Sequence, residues 1–184
     1  MKFILITSSI ILFIASMGNL FLNQKNKEIY MVATELNVNA RQGEIPITTH
    51  SIPHAQETQN SSEEMMDALV DYMFSLPNLR KVSSRNSFPS AVGAYINENI
   101  PINGAVDREF IHIHRETGLG SMHAMFPDDA VETILSNNWG IVHPMSRNWS
   151  NKKILMIYAP RDEQDLTEIK KIVKYAYEYA LAEV

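Results

Sequence analysis

The chain has 184 residues, 16 Lys and Arg against 21 Asp and Glu, a formal charge of −5 and no cysteine. That length supports one domain with an attachment, and the acidic balance speaks against a general nucleic-acid binder, which needs a basic face to neutralise phosphates. The missing cysteines exclude disulfides, zinc–thiolate and iron–sulfur sites and a cysteine nucleophile, so any metal must sit on His, Asp or Glu.

The N-terminus, "MKFILITSSIILFIASMGNLFLNQKNK", is apolar from Phe3 to Leu22 between flanking lysines. A run of that length spans a hydrocarbon core of roughly 30 Å as a helix. It also fits a signal peptide, with Ser16-Met17-Gly18 as a weak cleavage site. Residues 1–22 are therefore expected to anchor the chain in a membrane, or to send it to a secreted or periplasmic location if the segment is cleaved. Residues 23–60 form a polar arm without sustained periodicity, punctuated by Gly43, Pro46 and Pro53. Because it carries Arg41, His50 and His54, an arm lying against the domain stays open beside a plain linker.

The domain proper is expected over 61–184. Ser61 or Ser62 can cap a helix with Glu63 and Glu64 in its first turn and an apolar stripe of Met65, Met66, Leu69, Val70, Met73 and Phe74, ended by Pro77. "LRKVSS" and "AVGAYI" read as short strands, and "REFIHIH" and "SMHAMF" as a hairpin around "RETGLG". "PDDAVETILSNN" reads as a second helix, with Ala130, Ile134 and Leu135 inward and acids at its positive dipole end. "KKILMIYA", apolar on both faces, reads as a central strand. A long helix follows from Asp162, with Leu166, Ile169, Ile172, Val173 and Ala176 inward. Short interleaved elements around a hairpin predict an α+β fold: a mainly antiparallel sheet with helices packed on one face.

The hairpin concentrates three of the six histidines within twelve positions. Side chains alternate along a strand, so His112 and His114 share a face with Arg108 and Phe110, while Glu109, Ile111 and Ile113 point the other way. Across from them Ser121, His123 and Met125 share a face, and Met122, Ala124 and Phe126 turn to the core. If Arg115 and Gly120 close the loop, His123 stands opposite His112; a shift of two residues puts it opposite His114. A one-residue slip would expose the apolar set, which burial disfavours. Either favoured register brings three imidazoles onto one patch, with facing Cβ atoms about 4.5–5.5 Å apart.

Such a patch can bind a transition metal through neutral imidazoles, move protons near neutral pH, hold a polar ligand, or do none of these. His143, after Trp139 and Gly140, lies within reach of it. Trp139 offers either an aromatic wall or a core anchor. Arg161 offers a cation for an anionic substrate or a surface ion pair with Glu163 or Asp165. Ser121 has no acid partner for a Ser-His-Asp triad. Two sequons, at Asn60 and Asn148, carry meaning only in a secretory host.

"REFIHIH", "GSMHAMF", "NNWGIVHP" and "ILMIYAPRDEQDL", in this order and spacing, resemble the luciferase domain family, whose named members are fungal luciferases. "RQGEIPITTHSIPHAQ" extends the likeness back to about residue 38, so it covers nearly everything after the apolar segment. The resemblance implies an oxygenase that adds molecular oxygen to a small electron-rich phenol or enol, such as a hydroxylated pyrone, with no added cofactor. It implies Arg108, His112, His114, His123, His143 and Arg161 as catalytic residues, and Trp139, His50, His54 and Phe110 as substrate-binding residues. The expected partners are a small molecule, oxygen and the membrane, with no nucleic acid. This chain is shorter than the fungal enzymes and has a compact "SRNWSNKK" turn, so a different or smaller ligand is expected and light emission is not assumed. Two other readings stand beside this one. The first is a metalloenzyme with a transition metal on His112, His114 and His123, and the second is a ligand-binding domain without catalysis.

Overall fold

Ser62 starts the first helix, because its hydroxyl accepts the orphan N–H of Met65 at 3.2 Å. The helix, α1 (Glu63–Ser75), buries Met66, Leu69, Val70 and Met73. In this computed structural model residues 35–102, 105 and 107–181 are described. The expected membrane or signal segment lies outside them, and among the described residues no helix is long and apolar enough to cross a membrane.

Six strands follow: β1 (Leu79–Ser83), β2 (Val92–Ile96), β3 (Glu109–Ile113), β4 (Met122–Pro127), β5 (Gly140–Val142) and β6 (Lys152–Ile157). They form one antiparallel sheet in the order β1-β2-β3-β4-β6-β5. Helix α2 (Asp128–Ser136) joins β4 to β5, and α3 (Glu163–Leu181) closes the described chain. Asp162 caps α3 by accepting the Asp165 N–H at 2.8 Å. The fold is thus α+β, a six-stranded antiparallel sheet with three helices.

Alternation along the strands builds the core. Ile111 and Ile113 of β3, Met122, Ala124 and Phe126 of β4, and Leu155 and Ile157 of β6 meet Met66, Leu69, Ile134, Ile169, Ile172 and Val173 of the helices. Leu135, expected inward, is only partly buried at the edge of this core, while Val131 takes a buried place. The arm joins the same core through Leu36 and Val38. It is pinned by polar clasps: Glu168 accepts from the Asn39 N–H at 3.0 Å, and the Gln56 side-chain Oε1 accepts from the Ala159 N–H at 2.9 Å.

The hairpin register places His112 opposite His123, the first of the two alternatives the loop allowed. One feature departs from simple alternation. Tyr95 pairs with Glu109 while Ala94 pairs with Ile111, so Phe110 is the extra residue of a β-bulge. The bulge turns Glu109 onto the histidine face, and its Oε1 lies 2.7 Å from His112 Nδ1. The Phe110 ring turns to the helices and packs edge-on against Tyr177. The expected assignment of these two residues to faces is therefore reversed.

Candidate active site

The face of the sheet away from the helices carries five buried histidines. His112 and His114 come from β3 and its end, and His123 from β4. His143 caps the 3₁₀ turn Pro144–Ser146, and His54 comes from the arm. His123 sits at the centre. Its ring lies parallel to His54 at 5.4 Å and edge-on to His112 at 5.0 Å, His114 at 5.0 Å and His143 at 4.8 Å.

Hydrogen bonds fix much of the protonation pattern. Glu109 Oε1, which also accepts from Ser84 Oγ at 3.0 Å, can only accept from His112 Nδ1, so that nitrogen carries a hydrogen. His112 Nε2 lies 3.0 Å from His123 Nδ1, and His123 Nε2 has no hydrogen-bond partner. Ser121 spends its hydroxyl hydrogen on the Gly118 carbonyl at 2.6 Å, so it accepts from His114 Nδ1 at 3.1 Å and His114 Nε2 is bare too. His143 Nδ1 accepts the Met145 N–H at 3.2 Å. Three ring nitrogens, His54 Nδ1, His114 Nε2 and His123 Nε2, are buried without any hydrogen-bond partner. Gly93 makes room behind Glu109, since a Cβ there would stand 2.8 Å from Oε2.

Burial favours the neutral form of His54, His114, His123 and His143. Burial, followed by the charges of neighbouring imidazoles, pushes His114 down to about 3 and His123 well below the ordinary histidine range. Burial and then His143 lower His54 to about 4, and burial lowers His143. Burial is the largest single influence on Glu109 and pushes it up, but the interactions with His112, Tyr95 and Ser84 together outweigh it and hold the carboxyl below its usual value.

Over this floor lies a pocket of about 700 Å³. The arm supplies Ile52, Pro53 and His54 to its wall; the loop before β2 supplies Arg85 and Phe88; and Met125, His143, Met145, Trp149 and Ile154 complete it around His112 and His123. A mostly apolar enclosure with a few converging polar groups is the usual form of a small-molecule site.

Not every residue expected at the site is there. Arg108 gives its guanidinium to the carbonyls of Ile96, Asn97 and Ile100 and does not line the pocket. Arg161 is held by Asp165 at 2.6 Å, the ion pair that was its other reading, and that bond raises its pKa. Trp139 is fully buried and donates its indole N–H to the Asn39 carbonyl at 2.6 Å, which makes it a core anchor. His50 is exposed, and His114 lies one layer behind the pocket wall. Phe110 borders the pocket, with its ring toward the core. Sequence reasoning placed Glu109 on the wrong face and missed Arg85, Phe88, Met145 and Trp149. A glycine directly opposite His112 was the one available hint that something bulky lay beside it.

Residues 107–176, from the lead-in to β3 through most of α3, match the family model for the luciferase domain. No curated protein and no solved structure matches the chain. The matched stretch holds His112, His114, His123 and His143, while His54 comes from outside it.

Proposed function

We propose that this luciferase-domain protein is an oxidoreductase that joins molecular oxygen to a small electron-rich phenol or enol held in the pocket. The observation that carries the reading is the chain Glu109–His112–His123, which ends in an Nε2 without a hydrogen-bond partner on a histidine that lines the apolar cavity. That nitrogen takes the substrate's hydroxyl proton. The positive charge so created is shared with His112 and offset by the Glu109 carboxylate, so proton removal does not leave an isolated buried charge. Arg85, on the pocket wall, supplies the cation facing the resulting anion, the part the sequence reading gave to Arg108 and Arg161.

The remaining chemistry balances without another reductant. The anion passes one electron to oxygen, the substrate radical and superoxide combine to form a carbon–oxygen bond, and the imidazolium returns its proton to give a hydroperoxide. The apolar walls keep water from that intermediate. What the hydroperoxide then does, with light or without it, depends on the substrate.

Oxygen uptake, followed with an electrode across a panel of hydroxylated pyrones, catechols and enols, tests the proposal. Uptake that needs His123 supports it; pocket binding of the same compounds without any uptake would make the protein a binding domain. A second reading is favoured by the orphaned nitrogens. His112, His114 and His123 offer ligand atoms within 4.8 Å of one another, as do His54, His123 and His143. Glu109 and Ser121 already orient His112 and His114 as outer-shell partners orient metal ligands. About one equivalent of a single transition metal in untagged protein, lost in His112→Ala/His114→Ala, would replace the metal-free reading with a histidine-ligated metalloenzyme.

A further inference from the structure

Five large apolar side chains are exposed among the described residues, and three of them, Ile52 (59%), Met145 (59%) and Trp149 (38%), rim the pocket. Their neighbours are cationic. Arg85 lines the same mouth, Arg147 lies between Met145 and Trp149 and lowers the pKa of both His54 and His143, and Lys153 donates to the Trp149 carbonyl at 2.7 Å. Among the described residues Arg85, Arg147, Lys152 and Lys153 make no salt bridge.

The charge distribution is uneven for a chain of net charge −5. No acid occurs between Glu44 and Glu57, between Asp71 and Glu98, or between Glu132 and Asp162, and the mouth residues come from these three stretches. Exposed Trp and aliphatic side chains interleaved with Lys and Arg, without acids, suit the boundary between anionic headgroups and acyl chains. An acidic protein groove would complement the cations but would not call for three solvent-facing apolar side chains around an opening.

The geometry points to the pocket mouth as a docking surface for an anionic phospholipid bilayer, through which a lipid-soluble substrate enters without crossing water. The substrate route rests on the function proposed above; the docking itself does not. Basic residues are attracted to an anionic surface, and Arg147 in the loop before β6, with Lys152 and Lys153 at the start of that strand, bring three of them close to Trp149 in sequence.

The test uses the full chain in vesicles of phosphatidylcholine alone or with phosphatidylserine, and takes Trp149 as the probe. Trp149 emission is the difference between the wild-type chain and Trp149→Phe, which removes the signal of buried Trp139. With phosphatidylserine, Trp149 should be quenched by lipid-borne nitroxide and shielded from acrylamide. Salt near 1 M, where the Debye length is about 3 Å, should reverse both. Arg147→Glu/Lys152→Glu should weaken the docking at least ten-fold, with Arg147→Gln/Lys152→Gln as the milder pair should the first disturb folding. Equal quenching in both vesicle types, continued acrylamide access, or insensitivity to both charge variants would overturn the proposal. Shielding that appears only on addition of an acidic protein would overturn it as well. Oxygen uptake plays no part in these readings, so the two proposals fail separately.

Discussion

The two faces of the sheet are built on opposite principles. Toward the helices, Ile111, Ile113, Met122, Phe126, Leu155 and Ile157 are buried against apolar partners, and every strand residue there adds to stability. Toward the pocket, five histidines are buried almost as deeply, three of them with a ring nitrogen that bonds to nothing. Each such orphan costs about 1–3 kcal/mol. One face holds the protein together, and the other draws on that stability to keep reactive lone pairs dry.

The contrast is sharpest in activity. His123→Ala should lower kcat by about 10²–10⁴-fold, the usual contribution of a positioned proton acceptor, while leaving the fold intact by circular dichroism. A smaller loss, with binding unchanged, would remove His123 from the proton path. On the helix face Phe126→Ala should cost about 3–5 kcal/mol in urea unfolding. His114→Leu, on the other face, should leave the urea midpoint unchanged or raise it, because it removes an orphaned polar atom and keeps the volume. If both variants destabilise alike, the two faces are not different in kind.

Acid should separate them as well. The folded-state pKa values of His54, about 4, and His114, about 3, lie below the ordinary value near 6.5, so between these limits the unfolded chain binds more protons. Stability is therefore fully present above about pH 6.5 and falls as pH drops toward 4 and 3. Urea midpoints measured from pH 7 to pH 4 should show the decline, and His54→Leu should make it shallower. The smallest effect on activity is expected at Gly93→Ala, where the new methyl meets both the buried Tyr95 ring and the Glu109 carboxylate. Activity should drop, and the melting temperature should fall as well because the Tyr95 ring must shift.

How much of this was legible in the sequence differs between residues for physical reasons. The hairpin, and a choice between two registers, followed from period-two alternation and loop closure, which act locally; the structure selects His112 opposite His123. Glu109 was assigned to the wrong face because a one-residue bulge at Phe110 inverts the alternation beyond it, and nothing in "REFIHIH" announces a bulge. Arg108 was marked through the family likeness, and Arg161 and Trp139 through it and through side-chain type, but each is engaged by a nearer partner: carbonyls, Asp165 and the Asn39 carbonyl. His54 was marked through the family likeness alone, since no periodicity can show that a loop 58 residues before His112 folds back over it. The pocket rim escaped notice because exposed Met and Trp leave no periodic trace.

The clasps that seat the arm have a consequence for how the molecule is made. Gln56 waits for Ala159, and Asn39 for Glu168, partners 103 and 129 residues further along. A ribosome delivers the arm first, yet it has nowhere to settle until β6 and α3 have emerged. One wall of the pocket is thus synthesised before the strand and helix that hold it, and put in place after them. A chain synthesised only as far as the hairpin carries its histidines without their cover, and the pocket gains that wall only once α3 has brought Glu168 to the arm.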